Sequence, residues 1–167
     1  VRIIEDDGYM DKDSCILLDD GNHKILNLND CHLDFSLLKS MVGEVDILLL
    51  QSSSAIWWPC VYGYDKEKKI DHCNAKRKNI LNRTLRYAVE LNAKKIIPNA
   101  GPPYFYDENL DIWNVTRREE HNPFILLDES VCFLKQSGVN ADLVIPGSNI
   151  VCSDDTITTY TNNEEVV

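Results

Sequence analysis

The stretch Val45-Asp46-Ile47-Leu48-Leu49-Leu50-Gln51 decides how the rest of the chain reads. Its apolar run is of strand length and does not alternate, which predicts a central strand covered on both faces. Working outward, Gln51-Ser52-Ser53-Ser54 breaks the run, and Leu33–Met41 before it predicts a short helix, with Asp34 or a neighbour in its first turn and Gly43 past its end. Further upstream, Cys15–Leu18 and Lys24–Leu28 flank Asp19-Asp20-Gly21-Asn22, a strong hairpin signal. Val1–Glu5 reads as a short β-branched strand. Downstream, Asn74–Asn92 predicts the best helix, because Ile80, Leu81, Thr84, Leu85, Ala88 and Val89 recur at helical spacing. Lys95–Pro98 predicts a strand, Leu126–Gln136 a helix stopped by Gly138, and Asp142–Ile145 another strand closed by Pro146-Gly147. Residues after Ser153 read as a late strand or a loose tail. Strands alternate with helices after the hairpin, so the expected fold class is α/β with a mixed sheet and helices, residues 1–167 forming a single domain.

Composition narrows the function classes. The 167 residues carry 17 basic and 27 acidic side chains, a net charge of −10. That charge argues against binding nucleic acid or anionic lipid through bulk attraction. With 44% hydrophobic residues the chain is not a disordered acidic tail. No apolar run approaches the ~20 residues of a membrane span, and no signal peptide is recognisable. Six scattered cysteines without a CxxC pair read as reduced thiols, and the expected location is cytoplasmic. The chain opens on Val1-Arg2-Ile3-Ile4, which reads as the middle of a fold.

Few residues carry recognisable chemistry. No phosphate loop or Gly-x-Ser-x-Gly elbow is present, so Ser52-Ser53-Ser54 reads as a polar strand exit rather than a nucleophile site. His23, His32, His72 and His121 show no metal-ligand spacing. Asn27, Asn29, Asp30, Cys31 and His32 form a dense polar cluster at a strand end, where α/β folds place their sites. An Asx-type turn into the next helix accounts for the same residues. Leu26 and Leu28 share one face, and the same parity puts Asp30 there if the strand stays regular. Trp57, Trp58, Tyr62 and Tyr64 either line a pocket or interface, or form a satellite core under their loop. The Lys66–Lys69 and Lys76–Lys78 runs read as solvated surface, with attraction of an anionic substrate as the alternative.

Lys24-Ile25-Leu26-Asn27-Leu28-Asn29-Asp30-Cys31, then Val45–Pro59, Ile96–Pro103 and Val144–Gly147, follow one another in an order that resembles the carboxyl half of metallo-β-lactamase-fold proteins. The resemblance is to the group that includes CMP-N-acetylneuraminate hydroxylase-like proteins. It implies half of a four-layer αββα sandwich, with Asp30 at the position of a metal-binding carboxylate. The family's HxHxDH motif is absent. Two expectations follow from the resemblance.

In the first, the chain is the carboxyl-terminal part of a metal-dependent hydrolase or oxygenase, inactive alone and completed by a missing amino-terminal half or a partner chain. Zinc or iron would bind only with that half. Asp30 would be a ligand, Gln51, Trp57, Trp58 and the Gly101-Pro102-Pro103 loop would wall the substrate cleft, and Asn29 and His32 would join it. In the second, the chain is a non-catalytic module of the same type that binds a partner protein.

Overall fold

The structure, a computed structural model, describes residues 1–6, 13–111, 114, 122–153 and 156–161. Its five-stranded sheet has the order β1-β2-β3-β4-β5, comprising Arg2–Glu5, Ser14–Asp19, Lys24–Asn29, Ile47–Gln51 and Lys95–Asn99. The first three strands form an antiparallel meander, and β3, β4 and β5 run parallel. The sheet is therefore mixed. Helices α1 (Phe35–Val42) and α2 (Lys66–Glu90) supply the two crossovers that parallel neighbours require. Helix α3 (Leu127–Gln136) packs on β5, and β6 (Asn149–Ser153) pairs with β7 (Thr156–Tyr160) as a separate hairpin.

Local chemistry explains most of these boundaries. The β2–β3 turn uses Gly21 at φ +93°, while Asp19 and Asp20 accept backbone N–H groups within the turn. Asp34 caps α1 by accepting the Ser36 and Leu37 N–H groups at 3.0 Å. Gly43 ends the helix at φ +71°, ψ −144°, a region closed to residues with a Cβ. A Cβ there would meet only Lys24 Nζ, at 3.7 Å, so the obstacle is backbone strain rather than a clash. Gly43→Ala should lower stability by about 1–2 kcal/mol in urea denaturation, with the slope unchanged.

Helix α2 begins at Lys66, eight residues before the predicted start at Asn74. Asp65 accepts the Lys68 N–H at 2.8 Å and caps a polar first turn that periodicity does not mark. The predicted strand at Asp142–Ile145 is absent. Only a single bridge, Ile96 to Ala141, touches the sheet there, with the Asp142 N–H donating to Ile96 O at 3.1 Å, and the Asp142 carboxylate is engaged by side chains. The polar, threonine-rich stretch contains β7.

The core lies between one sheet face and the helices. It gathers Cys15, Leu17, Leu26, Leu28, Leu48, Leu50 and Ile96 from the strands, with Leu38, Tyr87 and Leu134 from the helices and Leu91 just past α2. Lys95 is buried and ion-paired with Asp142, which also accepts a hydrogen bond from Thr159 at 2.9 Å, tying β7 to the sheet. The opposite sheet face is apolar and partly covered: Ile16, Leu18, Ile25, Ile47 and Leu49 line a hollow of about 450 Å³ with Ile150. Among the described residues, no helix is long and apolar enough to cross a membrane.

Candidate functional site

The carboxyl ends of parallel strands are where an open α/β sheet exposes backbone and diverging loops. Here the exits of β3 and β4 face the middle of α2 across a cleft of about 440 Å³. The lining includes Asp30 and His32 after β3, Gln51, Ser53, Ser54, Ile56 and Trp58 at and after β4, and Lys76, Asn79, Ile80 and Arg83 from α2. Positions 76, 79, 80 and 83 lie three or four apart and so share one stripe of the helix.

The β3 exit departs from regular alternation. The β3–β4 register slips between Asn27 and Asn29, and Asn29 adopts φ +48°. This bulge turns Asp30 off the leucine face and leaves it exposed, correcting the parity expectation. Asn29 donates to Asp30 at 3.0 Å, and the His32 N–H donates to Asp6 at 3.1 Å. The turn also carries the cleft residues. Partial burial of the His32 ring, with the Arg83 guanidinium beside it, holds its pKa below the ordinary histidine value despite nearby Asp6 and Asp30.

The β4 exit is held from below. Ser53 Oγ accepts the Ile125 N–H at 3.1 Å, and Ser130 donates to the Ser52 carbonyl at 3.4 Å. The serines thus act as a polar strand exit. Ser52 Oγ and Asn99 Oδ1, at the ends of β4 and β5, are buried without a hydrogen-bond partner among the described residues.

The aromatic loop combines both of its expected roles. Trp58 packs on His72 at 5.0 Å and also lines the cleft, while Trp57 packs on Phe105 at 4.7 Å, outside the lining. Lys76 secures the loop by donating to the Ile56 and Trp58 carbonyls, and Lys69 does so at Cys60 O, 3.0 Å away. Arg77 ties α2 to Phe124 O and Glu129. These basic residues are not simply solvated surface. Sequence reasoning missed Arg83 as a cleft residue, although its place one turn before buried Tyr87 on the α2 stripe was available.

Of the residues expected at a site, the fold brings Asp30, His32, Gln51 and Trp58 together. Asn29, Trp57, Gly101 and Pro102 do not line this cleft. Gly101 lies against α3, where a Cβ would sit 3.3 Å from Leu127 Cγ. Among the described residues, no three His, Cys, Asp or Glu side chains converge as a metal site, so Asp30 has no companion ligand set there. His121 lies outside the described residues.

The comparisons with known proteins redirect the family reading. A protein from Mycolicibacterium smegmatis (strain ATCC 700084 / mc(2)155) is 30% identical over 156 residues, 90% of this chain and 29% of that protein. Two from Mycobacterium tuberculosis, strains CDC 1551 / Oshkosh and ATCC 25618 / H37Rv, are 32% identical over 141 residues, 81% of this chain and 27% of each protein. All three carry "Rieske 2Fe-2S iron-sulfur protein" in their names. The chain spans less than a third of these relatives' length. No protein-family model and no solved structure matches it significantly.

The metallo-β-lactamase resemblance is thereby corrected, and with it the reading as a hydrolase or oxygenase part or as a module of that fold. The segments that suggested it are generic in physical terms. Asn27–Cys31 is a bulged strand exit, and Gly101 sits in a loop packed on Leu127, features any layered α/β sheet can use. The α/β class and mixed sheet stand; the half-sandwich does not have support. The relatives' names specify iron, and neither zinc nor dependence on a missing half finds support in them.

A Rieske centre requires two thiolates and two imidazoles around one cluster. The described residues do not fit it. Cys15 and Cys31 touch in the core, burial raising both thiols and pushing Cys31 up to about 12. His32, beside Cys31 in sequence, lines the cleft instead. Cys60 and Cys73 are likewise buried, Cys73 pushed up to about 11, while His72 packs between Trp58 and Tyr64. These thiols are neutral packing groups. Disulfide exchange with a chromogenic reagent should therefore modify exposed Cys132 fast, half-buried Cys152 slowly, and the other four only on unfolding. Rapid reaction of more than two thiols in the native protein would contradict that assignment.

Proposed function

We propose that this chain supplies the ligand-recognition part of an iron–sulfur redox protein, with the cluster held by residues other than those described. The observation that carries the proposal is the cleft itself: an open cavity at the carboxyl ends of β3 and β4 presenting the half-buried Arg83 guanidinium. The redox assignment is supported by the names of the relatives, and the division of labour by the mismatch between buried thiols and cluster ligation. Within this division, Asp30 and His32 form the polar rim, Gln51 offers an amide, and Trp58 and Ile56 form an apolar wall.

Anaerobic incubation of the 167-residue chain with ferric iron and sulfide tests the division. After desalting it should show no visible absorption of a 2Fe–2S centre and, after reduction with dithionite, no electron paramagnetic resonance signal of one. A stoichiometric cluster on this chain would overturn the proposal.

A further inference from the structure

The ligand recognised in the cleft carries a negative charge. We infer that it is an organic anion, a carboxylate or phosphate monoester with a compact apolar body, anchored by Arg83. This inference rests on the reading of the cleft as a ligand site.

The charges on α2 make the case. Arg77 and Arg86, on either side of Arg83, are paired with Glu129 and Glu90. No hydrogen bond or ion pair engages the Arg83 guanidinium among the described residues, although it is half-buried beside Tyr87 and His32. A guanidinium cannot shed its proton, so taking it from water without a partner is unfavourable. Tyr87 cannot neutralise it, because burial pushes that phenol up to about 12. Tyr87 donates to Leu33 O at 2.6 Å and Arg86 stacks over Phe35, fixing this turn of α2 against the β3 exit. The guanidinium therefore presents a preorganised fork to the cleft, the shape that matches carboxylate and phosphate oxygens.

The surrounding residues define the rest of the ligand. Lys76 uses two donors on Ile56 O and Trp58 O, and an ammonium has three, leaving one for a ligand. Among the described lining residues Asp30 is the one carboxylate, on the rim beside Asp6, while Lys76 and Arg83 place two cations along the α2 wall, so the helix side of the cleft is the side that suits an anion. Ile56, 70% exposed, and Trp58 give the cleft an apolar wall. A bare inorganic ion would leave that wall unused.

Isothermal titration of the chain with phenyl phosphate, benzoate and uncharged benzyl alcohol tests the inference. At least one anion should bind saturably and more tightly than benzyl alcohol, and the stronger of the two identifies the headgroup. Arg83→Gln should weaken that anion roughly ten- to a hundred-fold, the loss of a charged hydrogen bond, without changing benzyl alcohol binding. Asp30→Asn, at an exposed position that does not threaten folding, should tighten the anion about two- to five-fold by removing a like charge. Equal binding of charged and neutral probes, insensitive to both substitutions, overturns the anionic inference and leaves the cleft as a ligand site. Absence of saturable binding by all three probes overturns the cleft reading as well.

Discussion

Asp142→Ala is expected to destabilise the fold by about 3 kcal/mol, more than removal of its partner. Lys95 lies in β5 with its side chain 7% exposed, and Asp142 is the carboxylate that receives it. Taking away the carboxylate leaves an ammonium in the interior with no other ion-pair partner among the described residues. The reverse substitution differs. Lys95→Met replaces the stem with an apolar chain of similar length, while Asp142 stays 26% exposed, beside Lys135 and bonded to Thr159. Its loss should stay near 1 kcal/mol. Urea midpoints of the two variants at pH 7 measure the asymmetry, and equal losses would contradict it.

The same pair sets a pH dependence. Burial alone would raise the Asp142 pKa, but hydrogen bonds from Lys95 and Thr159 outweigh it and hold the group below its ordinary value of 3.8. The unfolded chain therefore binds the proton more readily than the native one. The stabilisation is present above the unfolded pKa and is lost as pH falls through the folded value. Acid titration of the parent should show this loss, and Asp142→Ala should flatten it.

Leu48→Ala should cost about 3–4 kcal/mol, the other large effect. Leu48 is fully buried in β4, the strand that contributes Gln51 to the cleft and pairs on both sides. Removing its branched end leaves a cavity that two hydrogen-bonded neighbours prevent from collapsing. A substitution on the open sheet face, Leu18→Ala, should cost less than 1 kcal/mol, because Leu18 is 43% exposed. The contrast checks which face holds the core.

The sheet was legible in the sequence because its strands carry their own marks: the continuous Ile47–Leu50 run, the Asp-Gly turn at 20–21, and Gly43 after α1. The start of α2 was not, since Lys66–Lys69 form a polar turn whose signal is only the Asp65 cap. The Asp30 parity failed because a bulge and the left-handed Asn29 intervene, and neither has an apolar signature. Of the site, Asp30, His32, Gln51 and Trp58 were readable as strand exits. Arg83 was not, because a cation without a partner among the described residues is defined by what fails to surround it in three dimensions. The family reading failed differently: strand exits and proline loops recur across α/β folds, and their order carried less information than the aligned identity of long relatives.

The claim that the cleft at the β3 and β4 exits is the ligand site is tested most directly by mapping where a ligand binds. Amide chemical shifts of the chain titrated with phenyl phosphate should move at residues 51–58 and 75–83, saturably and together. Shifts concentrated instead at the Tyr104–Asp111 loop or along Ile16 and Leu18 of the open sheet face would contradict it.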